Sequence, residues 1–313
     1  MKKIFSIVII AVAIILAGTG IFFVNYSLGR KTVLSTDFEI ATDEYAEIQS
    51  KNIEKLNGKV DKWRKYRKEQ DWELVAEDGT SLYAVFYPAN SHKYLIFCHG
   101  YGDSTEKFEN LTVMFAEKSF NVLMPNLRGM GKTGSKYIGM GYPDSKDMLL
   151  WIDNIVRYDA DSQIILMGLS MGGATVMMTS GLSLPDNVKC IVEDSGFSSV
   201  WEQMADRLRI EFKLPVFPIV HVSSLMSKLM AGYGFKEASA VERVKNAKVP
   251  MLFIHGDRDS YVEPYMLDEV VSAYGGPYSE KVVIRNAEHV RGYLMNTEFY
   301  FKTVFDFVDK FVK

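Results

Sequence analysis

The stretch "IILMGLSMGGA", from Ile164 to Ala174, joins an apolar run to helix-forming residues through a serine flanked by glycines. Gly168–Gly172 fits the pattern Gly-x-Ser-x-Gly where a predicted strand meets a predicted helix. A serine in so tight a turn takes strained backbone angles that lift its Oγ above the sheet, and its neighbours must be small for strand and helix to approach. The pattern predicts Ser170 as a nucleophile, with the Met171 N–H at a helix N-terminus.

Other apolar runs alternate with helical patterns from Asp71 onward: "KYLIFCHG", "FNVLMPNLRG", "VKCIVEDSG", "VPMLFIHGD" and "KVVIRNAEH". This alternation predicts a mostly parallel sheet with helices on both faces. Before them, "WELVAEDGTSLYAVFYP" predicts a hairpin that turns at Asp78-Gly79. The segment between Ser195 and Val249 breaks the rhythm and is rich in Met, Pro and aromatic residues. It predicts a small helical lid at about 198–246, with an ordinary crossover helix and a long loop as the alternative.

The N-terminal end of the chain has a different composition. Ile4–Val24 contains no charge and, as a helix at 1.5 Å per residue, would span roughly 30 Å, one hydrocarbon core. We expect residues 1–30 to be an uncleaved membrane anchor, although the small residues Ala17–Gly20 also allow a cleaved signal peptide. Lys2, Lys3 and the amino terminus slightly outnumber Arg30 and Lys31 on the other side of the span, which favours an internal N-terminus and an extracytoplasmic domain. The expectation is a single-pass protein of the cell membrane.

Two further regions complete the expected organisation. Residues 31–70 are dense in charge, with apolar positions at three- and four-residue steps, and predict a charged helical juxtamembrane segment with a solvated face. No linker divides the chain after that, so we expect one domain over residues 71–313.

Composition argues against several classes of function. The formal net charge of −3 predicts no nucleic-acid partner. Cys98 and Cys190 lie on different predicted strands and are expected to be core thiols. "GMGKT" hints at a phosphate loop, but Asn126 stands where its first glycine is required, so no nucleotide is expected. No metal-binding pattern occurs, and we expect no metal or cofactor.

A serine nucleophile needs a base, and the base needs an acid to orient it. His289 lies in a loop after the last apolar run, where α/β sheets place their chemistry. The preceding loop, "HGDRDSYVEP", supplies Asp257 and Asp259. The other histidines precede a strand, lie in the lid or end strands in His-Gly pairs: His92, His221, His99 and His255.

From about residue 70 to its end, the chain resembles an α/β-hydrolase. It is similar to the serine aminopeptidase and prolyl-oligopeptidase-like branch, which includes esterases and acylglycerol lipases. The resemblance implies the triad order Ser170, Asp259, His289. In the pattern His-Gly-x-x-Asp-x-x-Val the acid is Asp259; Asp257 is the alternative, and its other role would be to cap the loop.

Two more motifs carry the resemblance. "CHGYGDSTEKF" is similar to the family's oxyanion loop, which implies that the Tyr101 N–H joins that of Met171 in an oxyanion hole. "PNLRGMGKTG" corresponds to Asp-x-Arg-Gly-x-Gly-x-Ser, with Asn126 and Thr133 replacing the aspartate and the serine. These two positions are mainly structural in the family, so the resemblance still implies catalysis.

The sequence therefore predicts a membrane-anchored serine hydrolase that cleaves carboxylic esters through an acyl-enzyme on Ser170. The apolar residues of the lid could line an acyl pocket: Trp201, Met204, Leu208, Phe212, Phe217, Met226 and Met230. A peptidase acting on short peptides is the alternative and would need a charged lid group, for which Glu202, Asp206 and Arg209 are available. A non-catalytic surface module would need a disabled triad, which the sequence does not have.

Overall fold

The computed structural model describes residues 2–31 and 44–313, and its strands form one sheet. In chain order the strands are β1 (Gln70–Val75), β2 (Ser81–Tyr87), β3 (Lys93–Cys98), β4 (Asn121–Pro125), β5 (Gln163–Leu169), β6 (Val188–Asp194), β7 (Met251–Gly256) and β8 (Ser279–Ile284). The eight strands lie in the order β1-β2-β4-β3-β5-β6-β7-β8. β1, β2 and β4 pair antiparallel, and every pair from β4 through β8 is parallel. The predicted mostly parallel sheet is confirmed.

The helices cover both faces of this sheet. They are α1 (Lys2–Leu28), α2 (Ala46–Arg64), α3 (Glu109–Ala116), α4 (Tyr142–Tyr158), α5 (Met171–Ser180), α6 (Val200–Glu211), α7 (Val216–Ala231), α8 (Ala240–Val244), α9 (Tyr265–Ala273), α10 (Gly292–Met295) and α11 (Thr297–Val308). Alternate strand residues enter two separate cores, with Ile96 and Leu166 in one and Leu95 and Ile165 in the other. α1 and α4–α9 contribute to the first core, and α2, α3, α10 and α11 to the second.

The predicted hairpin and lid both occur in the structure. β1 and β2 turn at Asp78-Gly79, where Gly79 has a φ of +80°. Between β6 and β7 the chain forms α6, α7 and α8, two of them long, rather than one crossover helix. This insertion leaves from the carboxyl end of β6, so it lies over the edge of the sheet where parallel α/β folds place their sites.

α1 packs against the lid only through its C-terminal half. Residues 2–15 are exposed, whereas Gly20, Val24 and Leu28, spaced four apart on one face, are buried. α7 is the main contact of this face. α1 is long and apolar enough to cross a membrane, and the structure also makes it part of the first core.

α2 packs on the domain as well. Its residues Leu56, Val60 and Trp63 are buried in the second core. Arg64 and the following Arg67 both pair with the buried carboxylate of Glu109, at 2.6 and 2.8 Å. The solvated side expected for this segment is therefore only one side of an amphipathic helix. Residues 32–43, the first part of the expected juxtamembrane segment, lie outside the described residues.

The loop after β4 connects the hairpin, α4 and the end of α1. The Arg128 guanidinium binds the buried Asp147 carboxylate of α4 through two hydrogen bonds, of 2.6 and 2.7 Å, and also contacts the exposed Asp78 of the hairpin turn. The two residues that depart from the family pattern have structural contacts. The Asn126 side chain accepts from the Lys132 N–H, and the Thr133 hydroxyl accepts from the N–H of Tyr83, both at 2.9 Å.

Replacing Arg128 by Ala should destabilise the fold strongly, because it leaves the Asp147 carboxylate buried without a counter-charge. We expect the free energy of unfolding to fall by about 3–5 kcal/mol. Asp78→Asn breaks only the exposed arm of the same network and should cost less than about 1 kcal/mol. Guanidinium titration of the full-length protein in non-ionic detergent measures both values. Equal losses for the two variants would contradict this division of the network.

Candidate active site

Ser170 lies in a strained turn between β5 and α5. Its backbone has φ +55° and ψ −118°, and its N–H donates to the Asp194 carbonyl at 2.8 Å. A Cβ on Gly168 would lie 2.0 Å from the Gly172 carbonyl oxygen, and a Cβ on Gly172 would lie 2.0 Å from that of Cys98. No side chain fits in either place, which explains why glycine occurs two residues before and two residues after the serine.

The structure brings Ser170, His289 and Asp259 into one hydrogen-bonded chain. The Ser170 Oγ is 2.8 Å from His289 Nε2, and His289 Nδ1 donates to Asp259 Oδ2 at 2.7 Å. The Asp259 side chain is fully buried, while the His289 side chain keeps 21% of its surface exposed. Asp259 Oδ1 accepts from the backbone N–H groups of Tyr261 and Val262, both at 2.9 Å, so the carboxylate is held from both sides.

Asp257, the alternative acid, is held elsewhere. Its carboxylate accepts from the backbone N–H of Asn286 at 2.6 Å and so joins the loop after β7 to the loop after β8. Asp257 therefore has the loop-capping contact expected for it, and Asp259 is the carboxylate that contacts His289.

A second histidine, His255, lies beside Asp259, and the sequence did not identify this contact. It is buried at the end of β7, donates from Nε2 to the Val262 carbonyl at 2.9 Å and lies 3.3 Å from Asp259 Oδ2. Burial acts to raise the pKa of Asp259, but His289 and His255 outweigh it and hold that pKa well below its usual range. Burial acts to lower the pKa of His255, and Asp259 nonetheless raises it to about 9. Asp259 is thus a carboxylate at neutral pH.

Tyr101 and Met171 lie on the two sides of the serine. Met171 is the first residue of α5, so its N–H has no partner within the helix. Tyr101 follows Gly100, where a Cβ would lie 3.6 Å from Ser170 Cβ. His99 holds this loop: its Nδ1 donates to the Gly100 carbonyl at 2.8 Å, and its Nε2 accepts from the Leu127 N–H at 3.1 Å. Burial also lowers the pKa of His99, which favours this neutral form.

A cavity of about 270 Å³ opens beside Ser170, and its lining is mostly apolar. Three residues expected from the lid line it: Met204, Leu208 and Phe212. The other four do not line it: Trp201, Phe217, Met226 and Met230. Phe217 is 73% exposed to solvent, and Met226 packs against Gly20 of α1. α1 contributes a further wall that the sequence did not reveal, formed by Phe23, Tyr26 and Ser27.

The cysteines and the candidate metal ligands lie away from this site. Cys98 on β3 and Cys190 on β6 are buried free thiols on strands separated by β5, and burial raises the pKa of both. Within residues 2–31 and 44–313, one group of side chains has the spacing of metal ligands: His92, Asp159 and Asp161. These residues precede β3 and β5, so they lie at the opposite edge of the sheet from Ser170.

This fold and site define the class of protein: an α/β-hydrolase of the serine hydrolase type. Residues 106–313, more than half of the chain, match the prolyl oligopeptidase family of S9 peptidases, and the chain belongs to that family. The resemblance noted from the sequence motifs is confirmed.

Two uncharacterised bacterial proteins are similar to this chain over most of its length. The uncharacterised protein YqkD of Bacillus subtilis strain 168 is 28% identical over 224 residues, which cover 71% of this chain and 73% of YqkD. The uncharacterised protein YfhR of Escherichia coli K12 is 24% identical over 231 residues, 70% and 72% of the two chains.

Two solved structures share the fold. The Pyrococcus furiosus esterase Pf2001 has a TM-score of 0.65 at 23% identity, covering 80% of this chain and 94% of its own. The acylaminoacyl peptidase of Pyrococcus horikoshii has a TM-score of 0.58 at 18% identity, covering 80% of this chain and 43% of its own.

The close approach of α5 to the end of β3 makes Gly172 a sensitive position, and an exposed glycine in α2 provides a contrast. Gly172→Ala should destabilise the protein by more than about 3 kcal/mol, because its Cβ collides with the Cys98 carbonyl. Gly58→Ala should stabilise it by up to about 1 kcal/mol, because this exposed position in α2 has open space around it. Thermal unfolding of the two variants in detergent tests both signs, and a tolerated Gly172→Ala would contradict the packing.

Proposed function

We propose that the protein is a membrane-anchored serine hydrolase that cleaves carboxylic esters through an acyl-enzyme on Ser170. The observation that supports this best is the continuous hydrogen-bonded chain Ser170–His289–Asp259, which opens into an apolar cavity. The strained backbone of Ser170 is a second support, since strain of this kind is kept where function requires it.

The proposed reaction assigns a role to each of these residues. His289 takes the proton of Ser170 as the Oγ attacks the ester carbonyl, and Asp259 holds the imidazole in the tautomer with Nδ1 protonated. The amides of Tyr101 and Met171 stabilise the negative oxygen of the tetrahedral intermediate. His289 then protonates the leaving alcohol and activates the water that releases the acyl group. His255 is a positioning residue, because it contacts Asp259 and not the serine.

The proposed organisation follows the expected boundaries. Residues 1–30 form the anchor, 31–70 the juxtamembrane segment and 71–313 the hydrolase domain, with the lid at about 198–246. The burial of Val24 and Leu28 in the first core supports an uncleaved anchor. If α1 were removed, the part of this core that these two residues cover would be exposed. The basic residues Lys2 and Lys3 support an extracytoplasmic hydrolase domain in the cell membrane.

A peptidase is the second candidate, and the family assignment favours it. Such an enzyme needs a free charge to hold a peptide terminus. Asp206 accepts from the Tyr265 hydroxyl at 2.8 Å and from Arg209 at 2.9 Å, so both of these lid charges are already paired. Glu202, the third, does not line the cavity. The two charged lid residues that do line the cavity, Arg207 and Glu211, pair with each other at 3.8 Å. The mostly apolar lining and these paired charges support an ester as the better substrate.

Substitution of Asp259 and of Asp257 tests which carboxylate orients His289. Asp259→Asn should lower kcat by about 10⁴-fold, because the imidazole loses its tautomer. Asp257→Asn removes a loop contact of similar chemistry and should cause a much smaller loss. Ser170→Ala gives the background rate. These rates are measured with p-nitrophenyl butyrate on the full-length protein in detergent, and a larger loss from Asp257→Asn would reverse the assignment.

Comparison of two leaving groups tests the substrate class. We expect Ser170-dependent turnover of p-nitrophenyl esters to exceed that of aminoacyl p-nitroanilides, because the cavity beside Ser170 is lined mostly by apolar side chains. The measurement is kcat/KM for each substrate, with Ser170→Ala subtracted. Faster turnover of the anilides would favour the peptidase.

A further inference from the structure

α1 is part of the active site. Phe23, Tyr26 and Ser27 line the same cavity as Ser170. The Tyr101 hydroxyl donates to the Ser27 carbonyl at 2.8 Å, so the oxyanion loop is attached directly to this helix. On the lid side, the ring of Phe212 meets the rings of Phe23 and Tyr26 edge to face, at 5.2 and 5.4 Å between centroids. The helix thus joins the oxyanion loop to the lid.

The position of α1 against the domain is fixed at both ends of this contact. A Cβ on Gly20 would lie 2.8 Å from the Val222 carbonyl oxygen and from Met226 Cγ, so α1 and α7 approach as closely as a glycine permits. Beyond the helix, the Arg30 guanidinium donates to the carbonyls of Gly131, Thr133 and Ser135 at 2.7–3.1 Å. α1 therefore cannot tilt away from the cavity without breaking these contacts.

The length of α1 determines how close the lid lies to the membrane. Residues 2–15 are the exposed part, and fourteen residues of helix span only about 21 Å. A hydrocarbon core is about 30 Å thick, so the helix must use residues that contact the lid to complete its span. Gly20 lies within the uncharged stretch Ile4–Val24, and its contacts Val222 and Met226 are in the middle of α7. In the proposed anchored arrangement, the middle of α7 consequently lies at the boundary of the membrane.

The outer face of α7 has the side chains that such a location requires. Phe217, Leu225 and Leu229 are 73%, 57% and 72% exposed, and Phe22 of α1 is 58% exposed. For large apolar side chains next to a membrane-spanning helix, contact with lipid is favourable and contact with water is unfavourable. Leu225 directly precedes Met226, the α7 residue that contacts Gly20, so both helices carry exposed apolar side chains near their contact.

The cavity also has a polar edge. Gln203 and Arg207 line it, and their Oε1 and Nε atoms are buried without a hydrogen-bond partner in the described part of the chain. A cavity with an apolar wall and a polar edge suits a molecule that has both an acyl chain and a polar group.

We infer that the substrates are acyl-ester lipids that enter the cavity laterally from the bilayer, with α1 as one wall and the outer face of α7 in contact with lipid. This inference rests on the proposed ester hydrolysis, and it adds where the substrate comes from and which helix recognises it. Water-soluble esters reach Ser170 without the membrane to concentrate them.

The test uses full-length protein in phosphatidylcholine vesicles with two substrates of the same leaving group. p-Nitrophenyl palmitate partitions into the bilayer, whereas p-nitrophenyl butyrate stays largely in water. We expect the rate on palmitate to follow its mole fraction in the bilayer and to fall when empty lipid is added. A rate that follows bulk palmitate concentration would overturn lateral entry. Absence of Ser170-dependent hydrolysis of both esters would instead overturn the proposed function.

Two phenylalanines of the same helix provide a matched pair. Phe23→Ala opens the cavity wall and should lower kcat/KM for palmitate by about tenfold, and for butyrate by less. Phe5 lies in the exposed part of α1, so Phe5→Ala should leave kcat/KM unchanged for both esters. Equal losses on both esters for Phe23→Ala would indicate a purely structural role and contradict the recognition of the acyl chain by α1.

The depth of the lid can be measured without reference to activity. Leu229→Cys and Asp161→Cys place a bimane label on α7 and at the opposite edge of the sheet, and the native cysteines are both buried. Spin-labelled lipids should quench the label at residue 229 and not the one at residue 161. Absence of quenching at residue 229 would overturn the contact between α7 and the membrane, even if all variants retain full activity.

Discussion

The site depends on the close approach of three pieces of backbone at the end of β5. Gly172 places the first turn of α5 directly against the Cys98 carbonyl of β3, and Gly168 lets the same turn pass over β5. This contact forces Ser170 into its positive φ and brings it beside the oxyanion loop that follows β3. Because parallel strands end at one edge, the loops after β7 and β8 then deliver Asp259 and His289 to the same point.

A second arrangement governs the electrostatics. The Asp259 carboxylate is buried, yet it accepts from two backbone amides and lies beside two imidazoles. Desolvation of this group is thereby compensated on every side, and its pKa stays low. An acid held in this way orients His289 without competing for its proton. The second imidazole, His255, lies on β7 four residues before Asp259, so the fold supplies it at a fixed distance.

The sequence was sufficient for the fold and for the residues around Ser170, because those residues lie in motifs whose geometry is local or whose order along the chain is fixed. The sheet direction followed from the apolar runs, and Asp259 was separated from Asp257 by one pattern of spacing. The sequence shows His255 only in a His-Gly pair at the end of a strand, and such a pair does not show what its ring contacts. Its contact with Asp259 needs the folded loop.

The lid and α1 show why the remainder could not be predicted. Apolar composition is the same whether a side chain faces a cavity, a core or lipid, so Leu208 and Phe217 could not be distinguished, although one lines the cavity and the other is exposed. Likewise, an apolar span predicts membrane crossing from its length alone. Whether its last turns also pack on a domain depends on a tertiary contact, here between Gly20 and α7. In a helix that is apolar on every side, the four-residue spacing of Gly20, Val24 and Leu28 does not stand out as a buried face.

That contact reverses the usual result of trimming a membrane protein. Removal of an apolar N-terminal helix normally yields a more soluble fragment. Here a chain beginning at Lys31 would uncover the side of α7 that receives Gly20, next to the exposed Leu225 and Leu229, and would open the cavity between Tyr101 and Phe212. The shortened protein would expose to water the apolar surface of the lid and the cavity that α1 covers in the intact chain. Purification of the intact chain in detergent is therefore the conservative route to a homogeneous sample.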